Sequence, residues 1–219
     1  NSNPLPGILS NSSLLATKNR VYMIGGYNGS SYVNTVYSAP INSDGTIGAW
    51  VTETSIPEAL GHSDIIVTKN RVYMIGGYNG SSIVNTVYAA VINGDGTLGN
   101  WFIGPPLPTA INQNRVVITK NRVYVIGGFT GSVYTSAIYT APITEYGAIG
   151  EWSIHGMLPY SAEGIYTAII KDRIYVIGGW NGLSHLPNVY YANIDNNGVI
   201  GKWITGIFLP KGMSRGETI

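Results

Sequence analysis

The side chains best suited to acid–base or metal chemistry in this sequence are three histidines, His62, His155 and His185. They lack the His-x-x-x-His spacing that places two imidazoles on one helix face to bind a metal ion. Cysteine is absent, which excludes disulfides and thiolate metal sites. The sequence therefore predicts no cofactor and no bound metal.

Motifs of nucleophilic catalysis and phosphate binding are also missing, since the chain contains neither a Gly-x-Ser-x-Gly elbow nor a phosphate-binding loop. The segment Asn42-Ser43-Asp44-Gly45 faintly resembles a calcium loop, but its counterpart at 144–147 does not, so we interpret it as a turn. Four arginines recur at equal spacing and are interpreted as structural: Arg20, Arg71, Arg122 and Arg173.

The composition limits the classes of partner. Charged residues make up 11% of the chain and the net charge is +1, whereas nucleic-acid binding requires a basic patch. No apolar run approaches the length of about 18 residues that indicates a membrane span. Few charges, no cysteine and many Tyr, Asn and Thr residues favour an extracellular or cell-surface location.

A 51-residue unit is repeated four times without insertion or deletion. Its markers are a double glycine, first at Gly25-Gly26, and a tryptophan, which recurs as Trp50, Trp101, Trp152 and Trp203. Such a strict period predicts one supersecondary unit copied in tandem. We predict a single domain over 1–219, with repeats at 6–56, 57–107, 108–158 and 159–209 and the start of a fifth at 210–219.

Each repeat contains four short apolar runs separated by turn residues. In the first repeat they are Leu14-Leu15-Ala16, Arg20 to Ile24, Val36-Tyr37 and a segment that begins near Ile47 and carries Trp50. Their β-branched and aromatic residues are typical of half-buried strands. Four antiparallel strands make a small sheet, and packing such sheets around an axis buries their faces. We expect the four periodic tryptophans to be largely buried between neighbouring sheets and Trp180 to be more exposed.

The run Arg-Val-Tyr-Met-Ile-Gly-Gly at 20–26, the tyrosine at 37 and the tryptophan at 50 together resemble the Kelch motif, over the whole chain. The resemblance implies an all-β Kelch-type β-propeller, or part of a larger one, with one four-stranded antiparallel blade per repeat. Kelch repeats often carry arginine three residues after the Leu-Pro step, whereas this chain has Leu9, Leu60, Ile111, Ala162 and Met213 there. Without cysteine, the copper centre of the galactose oxidase relatives cannot form.

Kelch-like propellers commonly have six or seven blades, so four repeats leave three arrangements open. The chain is part of a longer propeller, or it closes alone as four blades, or its terminal segment 211–219 completes a sheet in another chain. We expect this segment to form an innermost strand, because it aligns with the start of the first repeat. An unpaired strand edge is a template for pairing, so we expect that a second copy of the chain could associate through this strand.

Differences between the repeats indicate the binding face. They concentrate in the loop between strands four and one and in the loop between strands two and three, which share one face of an antiparallel blade. Binding residues favour loops held on a rigid scaffold. We predict that the site is formed by residues that differ between repeats on this face: His62, Asn112, Glu163, Trp180, His185 and Arg215.

We predict a non-enzymatic recognition module that binds a glycan or a protein on this face. Each double glycine is followed by an aromatic residue: Tyr27, Tyr78, Phe129 and Trp180. These residues either stack on sugar rings or pack against the neighbouring blade, and we favour packing. Because some Kelch-like propellers are sialic acid mutarotases, a sugar-processing enzyme is an alternative, with Glu163, Arg215, Arg115 and His62 as its acid–base and carboxylate-binding candidates. A structural assembly subunit is the third hypothesis.

Overall fold

The computed structural model describes residues 3–214, and these residues form sixteen β-strands and no helix. The strands build four antiparallel sheets, each made of four strands that are consecutive in the chain. We call these sheets blades 1 to 4. The predicted all-β class with four-stranded antiparallel blades is confirmed.

The strand bounds repeat closely from blade to blade. Blade 1 consists of β1 (Ser13–Ala16), β2 (Arg20–Ile24), β3 (Val36–Pro40) and β4 (Val51–Glu53). Blade 2 consists of β5 (Asp64–Val67), β6 (Arg71–Ile75), β7 (Val87–Val91) and β8 (Phe102–Ile103). Blade 3 consists of β9 (Arg115–Ile118), β10 (Arg122–Ile126), β11 (Ala137–Pro142) and β12 (Ser153–Met157). Blade 4 consists of β13 (Tyr166–Ile170), β14 (Arg173–Ile177), β15 (Val189–Asn193) and β16 (Ile204–Thr205).

The core lies between the blades. Three apolar clusters fill the junctions of blades 1 and 2, 2 and 3, and 3 and 4. The second strands of blades 2 and 3 supply both sides of this packing, because their successive side chains point to opposite faces. In β6, Val72 faces blade 1 and Tyr73 faces blade 3, and both are buried.

Each junction also has a repeated tyrosine hydrogen bond. Tyr22 donates from its hydroxyl to the Gly96 carbonyl of the next blade at 2.7 Å, and Tyr73 and Tyr124 donate to Gly147 and Gly198 at 3.2 and 3.0 Å. The acceptors lie in the turns between the third and fourth strands. The tyrosines therefore bury an aromatic ring and satisfy a buried carbonyl at once.

The four blades form an open arc. The innermost strands contact one another in series, β1 with β5, β5 with β9 and β9 with β13, whereas β13 and β1 make no comparable contact within residues 3–214. One face of blade 1 and one face of blade 4 are consequently left uncovered. Of the three predicted arrangements, closure as a four-bladed ring is not what the described residues adopt.

The tryptophan expectation is only partly right. Trp101, Trp152 and Trp203 do pack against the three inter-blade clusters, but they are half-buried rather than largely buried, and Trp180 is half-buried as well. The reason is their position: Trp50 lies just before β4 rather than within it, on the outer edge of the blade. An outer strand has a neighbour on one side only, so the indole is covered incompletely.

The terminal segment follows the path by which the chain crosses from one blade to the next. Gly179 donates its N–H to the Met213 carbonyl at 2.7 Å, as Gly26, Gly77 and Gly128 donate to Leu60, Ile111 and Ala162. Residues 211–214 form no strand. The predicted innermost strand falls largely on 215–219, outside the described residues, and stays a prediction.

Candidate functional site

The loops that differ between repeats converge on one face, which we call the loop face. In every blade, the residue that follows the double glycine pairs with a residue of the loop before the first strand, as in Ser10 with Tyr27 and Glu163 with Trp180. The double glycine makes this approach feasible. Gly26 has φ +99°, and a Cβ at this position would lie 2.6 Å from the Ser10 carbonyl oxygen.

A chain of backbone hydrogen bonds runs along the loop face from blade to blade. His62 donates its N–H to the Asn11 carbonyl at 3.0 Å, Gln113 donates to His62 at 3.0 Å, and Gly164 donates to Gln113 at 2.9 Å. All four residues are in the left-handed conformation, with φ between +48° and +59°. For a non-glycine residue this conformation is uncommon, and such strained positions cluster at functional sites.

A groove opens on the loop face between blades 2 and 3. Its volume is about 410 Å³. Its apolar lining comes from Tyr78, Ile83 and Phe129, and its polar lining comes from side chains of both blades: His62, Ser81, Ser82 and Asn112. The predicted residues His62 and Asn112 therefore line the same groove, together with two of the aromatic residues that follow a double glycine.

The Asn112 side chain is the most informative group in this groove. Asn112 is 8% exposed, and its Oδ1 has no hydrogen-bond partner among the described residues. Its backbone is fixed by two hydrogen bonds with Phe129, both 3.0 Å long. A buried carbonyl oxygen without a partner costs about 1–3 kcal/mol, so turning this amide towards a hydrogen-bond donor of a ligand in the groove would relieve that cost.

The other predicted residues form a second group on blade 4. Trp180 exchanges backbone hydrogen bonds of 2.9 and 3.0 Å with Glu163. The indole of Trp180 lies 4.6 Å, centroid to centroid, from the imidazole of His185, whose Nδ1 is 3.0 Å from the Ser214 hydroxyl. Arg215 lies outside the described residues, and its place in the site stays a prediction.

Gln113 connects the two groups, because it is adjacent to Asn112 in the chain and hydrogen-bonds the Glu163 side chain. Burial raises the pKa of the Glu163 carboxyl above its ordinary value of 4.5, and the hydrogen bond from Gln113 lowers it in part. The loop face thus carries a carboxyl group whose charged form is disfavoured by desolvation.

Replacing Glu163 by glutamine should change how stability depends on pH. Between the ordinary and the raised pKa the folded protein binds more protons than the unfolded chain, so the stability of the wild type falls as pH rises through this window. We expect E163Q to lose this pH dependence. The free energy of unfolding of E163Q minus that of the wild type should therefore be larger at pH 7 than at pH 4. Urea denaturation at pH 4 and pH 7 measures this difference. Replacing Glu145, which is exposed, by glutamine is the control. Parallel curves for E163Q and the wild type would contradict the burial of this carboxyl.

The aromatic residues after the double glycines pack within the loop face as well as lining it. Each contacts the residue five positions later, as in Tyr27 with Tyr32 at 5.4 Å and Phe129 with Tyr134 at 4.9 Å between centroids. Tyr32 also reaches the next blade, where it meets Tyr78 edge-on at 5.2 Å and its hydroxyl lies 3.0 Å from His62 Nε2. These contacts agree with the packing interpretation, although Tyr78 and Phe129 still face the groove.

Several residues of the loop face escaped the sequence prediction. Ile83 occupies the repeat position of His185, and Tyr32 and Tyr134 occupy it in the other blades, so comparing the repeats at this column would have found them. The repeat position of Gln113 also varies. Its contact with Glu163 joins two blades, however, and the sequence of one repeat cannot predict such a contact.

One of the enzyme candidates, Arg115, is held by a structural contact. Arg115 Nη1 lies 3.5 Å from Asp64 Oδ2, and Asp64 also accepts the Val116 N–H at 2.8 Å. Within residues 3–214 no cluster of three or more His, Asp or Glu side chains suits a metal ion. At 42–46, Asp44 accepts hydrogen bonds from the Thr46 N–H and hydroxyl at 2.9 and 2.6 Å, as a turn-forming aspartate does.

Proteins of similar sequence carry the same kind of repeat. The Kelch-like protein terF of Aspergillus terreus is 22% identical over 209 residues, which are 90% of this chain and 44% of that protein. The human Kelch repeat and BTB domain-containing protein 12 is 30% identical over 119 residues, 50% of this chain and 18% of that protein. The four blades described above supply the matching architecture. The chain is a Kelch-repeat β-propeller.

The solved structure of YjhT has the same propeller fold, with a TM-score of 0.75 and 14% identity, and the match covers 95% of this chain and 69% of YjhT. No protein-family model matches the chain. This Kelch propeller spans less than half the length of the two curated relatives named above. None of the residues from 3 to 214 lies in a helix long and apolar enough to cross a bilayer.

Proposed function

We propose that this Kelch propeller is a non-enzymatic recognition module, acting outside the cell or at its surface, that binds a segment of a protein partner on the loop face. The supporting observation is the groove between blades 2 and 3, with its buried and unpartnered Asn112 Oδ1. Tyr78, Ile83 and Phe129 offer an apolar recess at the same place. Grooves that combine an apolar lining with a few fixed polar groups are typical binding sites.

The chemistry of the groove defines what would fit. An apolar or aromatic side chain of the partner would enter between Tyr78 and Phe129, and a peptide N–H would donate to Asn112 Oδ1 once the buried side-chain amide turns towards the groove. The serine hydroxyls of Ser81 and Ser82 stand at the exposed rim, where they would pair with polar groups of the partner. A glycan offers hydroxyl donors and a stacking surface as well, so it is the second ligand class to test.

The test uses a displayed library of random 12-residue peptides, panned against the full chain, followed by fluorescence polarisation with the enriched peptides. We expect the enriched peptides to carry an aromatic or large aliphatic residue. Phe129→Ala should weaken their binding about 2- to 12-fold, which corresponds to the roughly 0.5–1.5 kcal/mol of an aromatic contact. Asn112→Ala should weaken it by a similar factor, since it removes one hydrogen bond.

A matched control separates the loop face from the rest of the molecule. Lys69→Ala alters a turn on the opposite face and should leave the affinity unchanged. If Lys69→Ala weakens binding and Phe129→Ala does not, the loop face is not the binding surface. If no peptide is enriched while a glycan array gives ligands sensitive to Phe129→Ala, the partner is a sugar rather than a protein. Detection of the chain in a secreted or surface fraction of its host tests the proposed location.

A further inference from the structure

One position in the loop between the second and third strands closes two of the three blade junctions at the loop face. Its occupants in blades 1 to 4 are Tyr32, Ile83, Tyr134 and His185. The Tyr32 ring reaches blade 2, where a Cβ on Gly61 would lie 2.6 Å from its Cε1. The Tyr134 ring reaches blade 4, where a Cβ on Gly182 would lie 2.5 Å from its Cε2. The two tyrosines therefore fill the junctions that they border.

The junction of blades 2 and 3 has an aliphatic side chain at this position. Ile83 is half-buried, and its Cδ1 lies 3.5 Å from where a Cβ on Gly131 would be. Gly131 holds the repeat position of Gly182, and it lines the groove of about 410 Å³ described above. The groove therefore lies at the place that a tyrosine ring fills in the two neighbouring junctions.

The walls of the groove are suited to an aromatic ring. In the junction of blades 1 and 2, the ring of Tyr32 meets that of Tyr78 edge-on, with 5.2 Å between their centroids. Such pairs are favourable beyond the area that they bury, because the positive edge of one ring meets the negative face of the other. Phe129 is the equivalent of Tyr78 in blade 3, and it lines the groove. Since Ile83 has no ring, blade 2 cannot give Phe129 this contact.

Asn112 does not exclude a ring from this place. It is the equivalent of Glu163, and the junction of blades 3 and 4 holds both Glu163 and the Tyr134 ring. The Asn112 residue is only 8% exposed, so little of its side chain projects into the groove. A bound ring can therefore rest on Gly131 as the Tyr134 ring rests on Gly182.

We propose that the groove takes an aromatic side chain, a tyrosine or a phenylalanine, of the partner segment, and that Ile83 is the residue that determines this specificity. The inference rests on the function proposed above and names the partner residue that the groove recognises. The partner supplies from outside the ring that Tyr32 and Tyr134 supply from within the chain at the neighbouring junctions. A leucine side chain fills less of the groove and leaves Phe129 without a ring contact.

The experiment measures binding of single amino-acid amides to the full chain by saturation-transfer NMR. We expect N-acetyl-L-tyrosinamide to bind about 2- to 12-fold more tightly than N-acetyl-L-leucinamide, the effect of one aromatic contact. Ile83→Tyr should abolish this binding, because the new ring fills the groove from within. Ile83→Val keeps an aliphatic side chain and should leave the affinity unchanged. Circular dichroism checks that each variant is folded.

The converse variant is Tyr134→Ile, which should open a groove between blades 3 and 4. We expect it to add a second binding site for N-acetyl-L-tyrosinamide, whereas Tyr134→Phe keeps the ring and should add none. If either Ile83→Tyr or Tyr134→Ile fails to fold, the other variant still decides.

Three results would overturn the proposal: no binding of N-acetyl-L-tyrosinamide to the wild type, equal affinities for the tyrosine and leucine amides, or unchanged binding in Ile83→Tyr. The proposed function would survive any of them if the panned peptides still depended on Phe129. If the tyrosine amide binds as expected but neither peptides nor glycans do, the role of Ile83 stands and the proposed function fails.

Discussion

Replacing Tyr124 by alanine should lower the free energy of unfolding by about 3–5 kcal/mol, the range for truncating a buried aromatic residue. The Tyr124 ring is fully buried between blades 3 and 4. Its hydroxyl donates to the Gly198 carbonyl at 3.0 Å and accepts the Ile200 N–H at 3.3 Å. The substitution therefore removes core packing and leaves two buried backbone groups without a partner, which adds to the cost.

The matched control is Tyr175→Ala, at the same repeat position on the open side of blade 4. Because that ring is half-exposed and its hydroxyl is unpaired within residues 3–214, we expect a loss of less than half that of Tyr124→Ala. Urea or guanidinium denaturation of both variants measures the difference. Equal losses would show that blade 4 is covered to the same extent as blade 3.

Gly26→Ala should be the second most destabilising change, with a loss of roughly 2–6 kcal/mol. Two costs combine here, about 1–3 kcal/mol for an unfavourable backbone conformation and about 1–3 kcal/mol for overpacking. Gly26 has φ +99°, and its Cβ would lie 2.6 Å from the Ser10 oxygen and 2.8 Å from the Ser12 Cβ. The neighbours are backbone and short side-chain atoms of the adjacent loop, which have little freedom to move.

Gly29→Ala separates these two costs. Gly29 has nearly the same conformation, φ +95°, but nothing lies within 4 Å of its Cβ position. We therefore expect a loss of about 1–3 kcal/mol, from the backbone alone. Thermal and denaturant unfolding of both variants give the comparison. If Gly29→Ala costs as much as Gly26→Ala, the close approach of the two loops contributes nothing to the stability of the loop face.

Much of the architecture is readable from the repeats. The β-branched and aromatic residues in Arg20 to Ile24 predict a half-buried strand, and β2 spans these residues and buries Tyr22 and Ile24 against blade 2. The sequence predicts the start of the fourth strand less accurately. Ile47, the predicted start, forms an isolated bridge with Ile41, and β4 begins only after Trp50. A short outer strand makes few hydrogen bonds, so local sequence constrains its start weakly.

The candidate site was predictable as a face but not as a set of contacts. The sequence predicts His62 and Asn112 as site residues because they differ from the equivalent residues of the other repeats. Both line one groove. Nothing in the sequence indicated that Gln113 would reach Glu163, or that Asn112 would be buried without a partner for its Oδ1. These properties depend on how far apart two neighbouring blades lie at the loop face.

The sequence by itself determined the unit and its orientation: a strict period of one antiparallel blade, with the variable loops on one side and the Thr-Lys-Asn-Arg turns on the other. These features are local, because strand alternation and turn chemistry act over a few residues. Only the tertiary structure decided that the blades form an open arc, that the tryptophans are half-buried and that Tyr175 is left unpaired. Those outcomes depend on packing between whole sheets, where identical residues such as Tyr124 and Tyr175 differ only in whether another blade lies beside them.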